Sequence, residues 1–211
     1  MADYHLKCTH PDCHRLYQKD PGMRLVCDEE LAGRHGPALL QALYGKRRLD
    51  VNTDLPGIFA YSDWLPTGSY YLDPPDHGLG GPHVYKSSHL AKRFGLKNLY
   101  IAFSGYWPER GAHLITRTFK EFECQASLAR YLVSDWQEDP MPLIVASAGN
   151  TANGYNLLTA LLKLPVVLVI PESGLEKLLL PMKTQPFLIL VRGDIRMRFK
   201  CRKPSRVRRA F

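Results

Sequence analysis

The chain has 211 residues, 45% of them hydrophobic and 23% charged, and a formal net charge of +8. Those proportions are ordinary for a globular protein, and the length allows one large domain or one and a half small ones. The longest apolar run, around residues 164–170, is far short of the roughly 20 residues that span a bilayer, so no membrane partner is expected.

The start, Met1-Ala2-Asp3-Tyr4-His5, lacks the basic-then-apolar pattern of a secretory signal, so a cytoplasmic protein is expected. The charge is concentrated at one end. Residues 1–194 hold 20 Lys/Arg and 20 Asp/Glu, and residues 195–211 hold 8 Lys/Arg and no acid. A neutral body argues against a nucleic-acid partner, and a block of like charge without amphipathic period is expected to be a disordered tail.

In chain order, residues 1–35 read as a small module with short strands at His5–Cys8 and Arg24–Cys27. Three of the five cysteines fall here, as Cys8-x4-Cys13 and then Cys27, with His10 and His14 between. An odd cysteine count without a signal argues for reduced thiols. The spacing resembles a zinc ribbon, which needs four ligands in tetrahedral array. The second cysteine pair is incomplete, although a histidine can substitute. The sequence is therefore read as a degenerate ribbon with free thiols, and no metal is assigned.

Residues 36–97 form a connecting region. Leu39, Leu40 and Leu43 have helical spacing within Gly36–Tyr44. Residues 51–85 are rich in Pro and Gly and read as irregular, with Trp64 burying an aromatic ring. Ser87–Phe94 reads as a short helix stopped at Gly95.

From residue 98 to 194 the pattern becomes α/β. Strands are expected at Leu99–Phe103, Met141–Ala146, Pro165–Ile170 and Pro186–Val191. Helices are expected at Phe119–Val133, with Phe122, Leu128 and Leu132 on its apolar side, at Asn150–Lys163 and at Ser173–Leu180. Strands alternating with helices imply a parallel sheet, whose ligands bind beyond the carboxyl ends of the strands.

Two stretches carry chemistry. Thr118-Phe119-Lys120-Glu121 sets a lysine at the mouth of a helix. A primary amine there can form a Schiff base with an aldehyde cofactor. Ala146-Ser147-Ala148-Gly149-Asn150-Thr151 follows a strand and opens a helix, where backbone N–H groups suit an anion such as a substrate carboxylate. In this order and spacing the two resemble the cofactor site of a fold-type II pyridoxal phosphate (PLP) enzyme.

With Phe103-Ser104-Gly105-Tyr106-Trp107-Pro108-Glu109 and Val169-Ile170-Pro171-Glu172-Ser173-Gly174-x-Glu176-Lys177-Leu178, these motifs strongly resemble the cysteate synthases. Those are archaeal relatives of threonine synthase associated with coenzyme M biosynthesis in methanogens. The similarity covers most of residues 5–194. It implies a partial fold-type II, tryptophan synthase beta-like α/β fold, with a parallel sheet, flanking helices and a small zinc-ribbon-like N-terminal module. It implies pyridoxal 5'-phosphate as cofactor, with O-phospho-L-serine and sulfite as substrates and L-cysteate as product. It further implies that Lys120 holds the cofactor and moves the α-proton, and that Asn150 bonds the ring hydroxyl. Ser147, Gly149 and Thr151 would hold the substrate carboxylate. Arg110 or Arg117 would help with the anions, though no family motif assigns that role. A homo-oligomer is left open.

Two departures are visible. Ala152 stands where the family has glycine directly after the threonine, which is expected to cost little if that position is already helical and otherwise to narrow the substrate pocket. The chain also covers about the first half of the family's sequence. The glycine-rich loop for the cofactor phosphate and the Ser/Thr near the pyridine nitrogen are not in it. The change of composition after Asp194 suggests a frameshift there. The alternatives are a threonine synthase-like enzyme for another phosphorylated amino acid, or an inactive remnant with a nonspecific basic tail.

Overall fold

Alternation of apolar residues opens the chain, and it makes a strand. Tyr4, Leu6 and Cys8 point inward along β1 (Tyr4–Cys8), as a period of two requires. The computed structural model describes residues 4–18, 24–67, 72, 79–132, 142–147, 149–179 and 186–192. The chain divides into two compact units, Met1–Pro140 and Met141–Phe211. The expected α/β stretch, 98–194, contributes residues to both.

In the first unit β1 lies between β2 (Leu16–Gln18) and β3 (Leu40–Tyr44), antiparallel to each, with Leu6 opposite both Tyr17 and Ala42. Tyr4, Leu6, Cys8, Tyr17 and Cys27 make the small core of this module. Two expectations fail here. Arg24–Cys27 is not a strand; Cys27 leads into a short helix, α1 (Asp28–Leu31), whose acidic first turn suits a helix start. The strand beside β1 is Leu16–Gln18 instead. Gly36–Tyr44 is not helical either. Leu40, Ala42 and Tyr44 alternate inward against β1, leaving Leu39 largely exposed, and this pairing overrides the helical spacing of the leucines.

The Pro/Gly-rich stretch holds a kinked 3-10 segment, Gly57–Trp64, and begins β4 (His83–Lys86). The ring buried in that segment is Phe59, fully so. Trp64 is 43% exposed, contrary to expectation, with its indole N–H donating to the Lys46 carbonyl at 3.0 Å. After α2 (Ser88–Arg93) comes β5 (Tyr100–Phe103), which pairs antiparallel with β4. It is thus not the first strand of a parallel sheet. Its neighbour in sequence supplies a partner, as neighbours usually do, and that neighbour had read as irregular. A two-residue pairing, β6 (Tyr106–Trp107) with β7 (Ala112–His113), leads to α3 (Lys120–Leu132). Glu121, Cys124, Gln125, Leu128, Ala129 and Leu132 form the buried stripe of α3 at helical spacing. Phe122 is only half-buried.

The second unit is a parallel sheet of order β10-β9-β8, from β8 (Leu143–Ala146), β9 (Val166–Pro171) and β10 (Phe187–Val191). α4 (Asn150–Leu161) connects β8 to β9. Val145, Ala152, Val166, Leu168 and Ile170 form its core. The expected helix Ser173–Leu180 is a 3-10 segment, Glu172–Lys177. Residue 180 and the basic tail lie outside the described residues. The described residues form a mixed α/β fold with antiparallel and parallel sheets and flanking helices. None of their helices is long and apolar enough to cross a membrane.

Candidate functional site

Lys120 opens α3, as its sequence context predicts. Thr118-x-x-Glu121 has the spacing of a capping box. Thr118 Oγ1 accepts the Lys120 N–H at 3.4 Å, but the Glu121 carboxylate reaches further back. Its Oε2 accepts from the Thr116 N–H at 3.0 Å and from the Thr116 hydroxyl at 2.8 Å. This tie spans Arg117, whose φ of 56° is left-handed, a conformation few side chains adopt without support. The Lys120 side chain is 37% exposed. Its Nζ lies 2.5 Å from Glu123 Oε2 and 5.5 Å from the centre of the Phe119 ring.

Burial of Glu121 outweighs its two Thr116 bonds and raises its carboxyl above the ordinary 4.5. Such a group binds more protons folded than unfolded, so its stabilising contribution is present below 4.5 and is lost as pH rises through the folded value. Urea unfolding at a series of pH values should therefore show Glu121→Gln gaining on the wild type as pH rises through the mildly acidic range. A difference between the two that stays constant with pH would show that the carboxyl does not titrate there.

In the second unit Ser147, Gly149, Asn150 and Thr151 share the turn from β8 into α4. The Ser147 N–H donates to the Val169 carbonyl at 3.2 Å, which fixes the turn at the carboxyl end of the sheet. Gly149 precedes α4, and no side chain caps the helix. A Cβ placed on Gly149 meets nothing within 4 Å among the described residues, and a helix start presents backbone N–H groups that suit an anion. Asn150 is exposed. Ala152 is 1% exposed and packs in the core with Val145 and Leu168. Its methyl therefore fills the core and does not narrow the space before the turn. The four turn residues come together, and Lys120 belongs to the other unit. Of the two arginines, Arg110 stacks over the Trp107 ring at 5.0 Å and Arg117 is exposed.

A third assembly lies in the N-terminal module. The side chains of Cys8, Cys13, Cys27 and His35 converge, with one ligand atom of each within 4.8 Å of all the others. Sequence reading found the three cysteines and missed His35, favouring His10 and His14. The usable signal was a histidine beside Gly36, just past the helix-ending Gly33. Gly33 has φ 69° and donates to the Glu30 carbonyl, and this left-handed cap turns the chain back toward the thiols. His10 instead stacks on the His35 ring, with centroids 4.4 Å apart.

Burial pushes the Cys27 thiol up, but hydrogen bonds from Tyr17 and His35 and from the Glu29 backbone outweigh it and bring it down to about 6. The bond of His35 to the Gly36 carbonyl, with that to Cys27, raises the imidazole to about 9.

No protein-family profile matches the chain. Curated relatives do. The chain is 36% identical over 181 residues to the cysteate synthase of Methanocella paludicola, an alignment covering 86% of this chain and 38% of the relative. It is 41% identical over 195 residues to that of Methanoculleus marisnigri, covering 90% and 40%. It is 34% identical over 199 residues to that of Methanospirillum hungatei, covering 92% and 42%. The chain thus spans about two-fifths of the length of the curated relatives it matches. Along most of its own length the chain is similar to proteins that share one name, the cysteate synthases.

Proposed function

We propose that this chain carries the cofactor lysine and the substrate-carboxylate turn of a PLP-dependent cysteate synthase. Such an enzyme replaces the phosphate of O-phospho-L-serine with sulfite to give L-cysteate. The observation that carries the reading is the match to cysteate synthases over 84–92% of this chain. The residues present suit the group. A half-exposed primary amine heads α3, and an open turn without a side-chain cap precedes α4.

When bound, PLP withdraws the electrons left at the α-carbon. The chain's own residues do the rest. Lys120 Nζ would hold the cofactor and would take and later return the substrate α-proton, while phosphate, leaving with the electron pair of its bond to the β-carbon, would be replaced by the sulfite sulfur. Glu123, paired with Lys120, keeps the amine positioned on the first turn of α3. The Asn150 amide would donate to the cofactor's ring hydroxyl, and Ser147, Gly149 and Thr151 would hold the carboxylate at the start of α4. In this reading the fold is of fold-type II, tryptophan synthase beta-like. The N-terminal module is zinc-ribbon-like, supported by its three short antiparallel strands and converging cysteines. The protein is cytoplasmic.

The test adds PLP to the purified chain, fixes any adduct with borohydride and maps it by mass spectrometry. One adduct on Lys120, absent from Lys120→Ala, is expected. Adducts scattered over surface lysines would sink the proposal for this chain.

A further inference from the structure

The N-terminal module has little to hold it together. Its buried core is five residues, and two of them are Cys8 and Cys27. A core of that size stabilises little, and small modules are commonly stapled by disulfides or metals. A disulfide is not the staple. Cys13 Sγ and Cys27 Sγ are 3.7 Å apart, against about 2.05 Å for a bond, and both are free thiols along with Cys8.

The spacing fits another staple. With Zn–S near 2.3 Å and Zn–N near 2.0 Å, a tetrahedral ion sets adjacent sulfurs about 3.8 Å apart and sulfur–nitrogen pairs about 3.5 Å apart. The observed separations are 3.7 Å for Cys13 Sγ to Cys27 Sγ and 3.6 Å for Cys8 Sγ to His35 Nε2. The imidazole is also oriented for ligation. His35 Nδ1 lies 2.7 Å from the Gly36 carbonyl, which can only accept, so Nδ1 keeps its proton and Nε2 is the ring nitrogen that faces the thiols and would yield its proton to a metal. Further donors support thiolate sulfurs. The His10 N–H reaches Cys8 Sγ at 3.5 Å, and the Tyr17 hydroxyl reaches Cys27 Sγ at 3.1 Å.

We propose that Cys8, Cys13, Cys27 and His35 form a closed, structural zinc site that staples the N-terminal module. Three soft sulfurs and an imidazole select zinc over the oxygen-seeking Mg2+ and Ca2+. Four protein ligands leave no open position for a reacting water, so the role is structural and independent of the chemistry at Lys120. On binding, the protons still held by the three thiols and by His35 Nε2 pass to solvent, and the ion takes three S–Zn bonds and one N–Zn bond.

The test uses the full chain, expressed in zinc-supplemented medium and passed through gel filtration. Elemental analysis should find one zinc per chain. Exchange for Co2+ should give intense thiolate-to-cobalt charge-transfer bands with tetrahedral ligand-field bands. Cys27→Ser and His35→Ala should lose the metal, His35→Cys should keep it, and the controls His14→Ala and Cys124→Ser should keep it. Variants that do not fold leave a readout on the wild type. A mercurial should release zinc in step with modification of Cys8, Cys13 and Cys27, mapped by mass spectrometry. A wild-type chain without zinc and without cobalt charge transfer would overturn the proposal. So would zinc retained by both Cys27→Ser and His35→Ala, or zinc release that does not track those three thiols.

Discussion

Replacing Gln125 with leucine is expected to cost the first unit about 4 kcal/mol of stability, the sum of two buried backbone groups left without partners at roughly 1–3 kcal/mol each. Gln125 lies on α3 and is fully buried. Its Oε1 accepts the Ile58 N–H at 3.1 Å, and its Nε2 donates to the Gly80 carbonyl at 2.9 Å. One amide thus ties two points of the Pro/Gly-rich stretch to the helix that carries Lys120. Leucine has a similar volume, so the loss is not that of a cavity. Gln125→Glu separates the two bonds. It keeps the acceptor for Ile58 and, when ionised, turns a second negative oxygen on the Gly80 carbonyl. The expected order is a moderate loss in acid and a larger one at neutral pH. Urea unfolding followed by tryptophan fluorescence reads the effect, since Trp64 and Trp107 lie in this unit. A Gln125→Leu loss under about 1 kcal/mol, the worth of one ordinary bond, would show that the clamp is not what seats α3.

Gly57 shares that clamp. Its φ is 60°, and an added Cβ would lie 2.4 Å from Gln125 Oε1 and 2.8 Å from Leu79 Cβ. Gly57→Ala therefore acts against the same amide. In a Gln125→Ala background part of the clash is gone, so the double variant should cost less than the sum of the singles, as expected for groups in contact.

That clamp also shows where sequence reading stops. The second unit was legible because its signals are local: β-branched runs for β8 and β9, and a glycine turn before α4. α3 and its leading lysine were legible for the same reason. The first unit is organised by partners far apart in the chain. Tyr44 is a strand residue because β1 lies beside it, 40 positions earlier (44 − 4), and no window around Leu39–Leu43 carries that information. Gln125 looks like one polar residue on an amphipathic helix, and its meaning depends on a loop 67 residues away. His35 escaped notice because cysteine spacing directs attention to the histidines between the cysteines. The turn that delivers it is made by Gly33 instead. Ala152 allowed two readings, harmless if helical or narrowing a pocket, and its place inside α4 with its methyl in the core decides for the first.

Asn153→Ala is expected to destabilise the second unit by about 2 kcal/mol, two hydrogen bonds at roughly 1 kcal/mol each. Asn153 lies one turn into α4, almost fully buried. Its Nδ2 donates to the Lys177 carbonyl at 2.9 Å, and its Oδ1 accepts the Leu179 N–H at 2.7 Å. It thereby ties the helix behind the Ser147–Thr151 turn to the chain that leaves β9. Asn156 is the internal comparison. Its Nδ2 donates to the Leu179 carbonyl at 2.6 Å, but its buried Oδ1 has no hydrogen-bond partner among the described residues. Asn156→Ala thus removes one bond together with one unsatisfied acceptor, and its cost should be the smaller of the two. Asn153→Asp should fall beyond Asn153→Ala at neutral pH, because a carboxylate would face the Lys177 carbonyl without a proton to offer. Hydrogen exchange gives a local reading, since the Leu179 amide is the proton that Asn153 holds. In Asn153→Ala its protection should collapse while that of β9 persists. Equal costs for the two alanine variants, or unchanged protection at Leu179, would mean that the Ser147–Thr151 turn is held by the sheet alone.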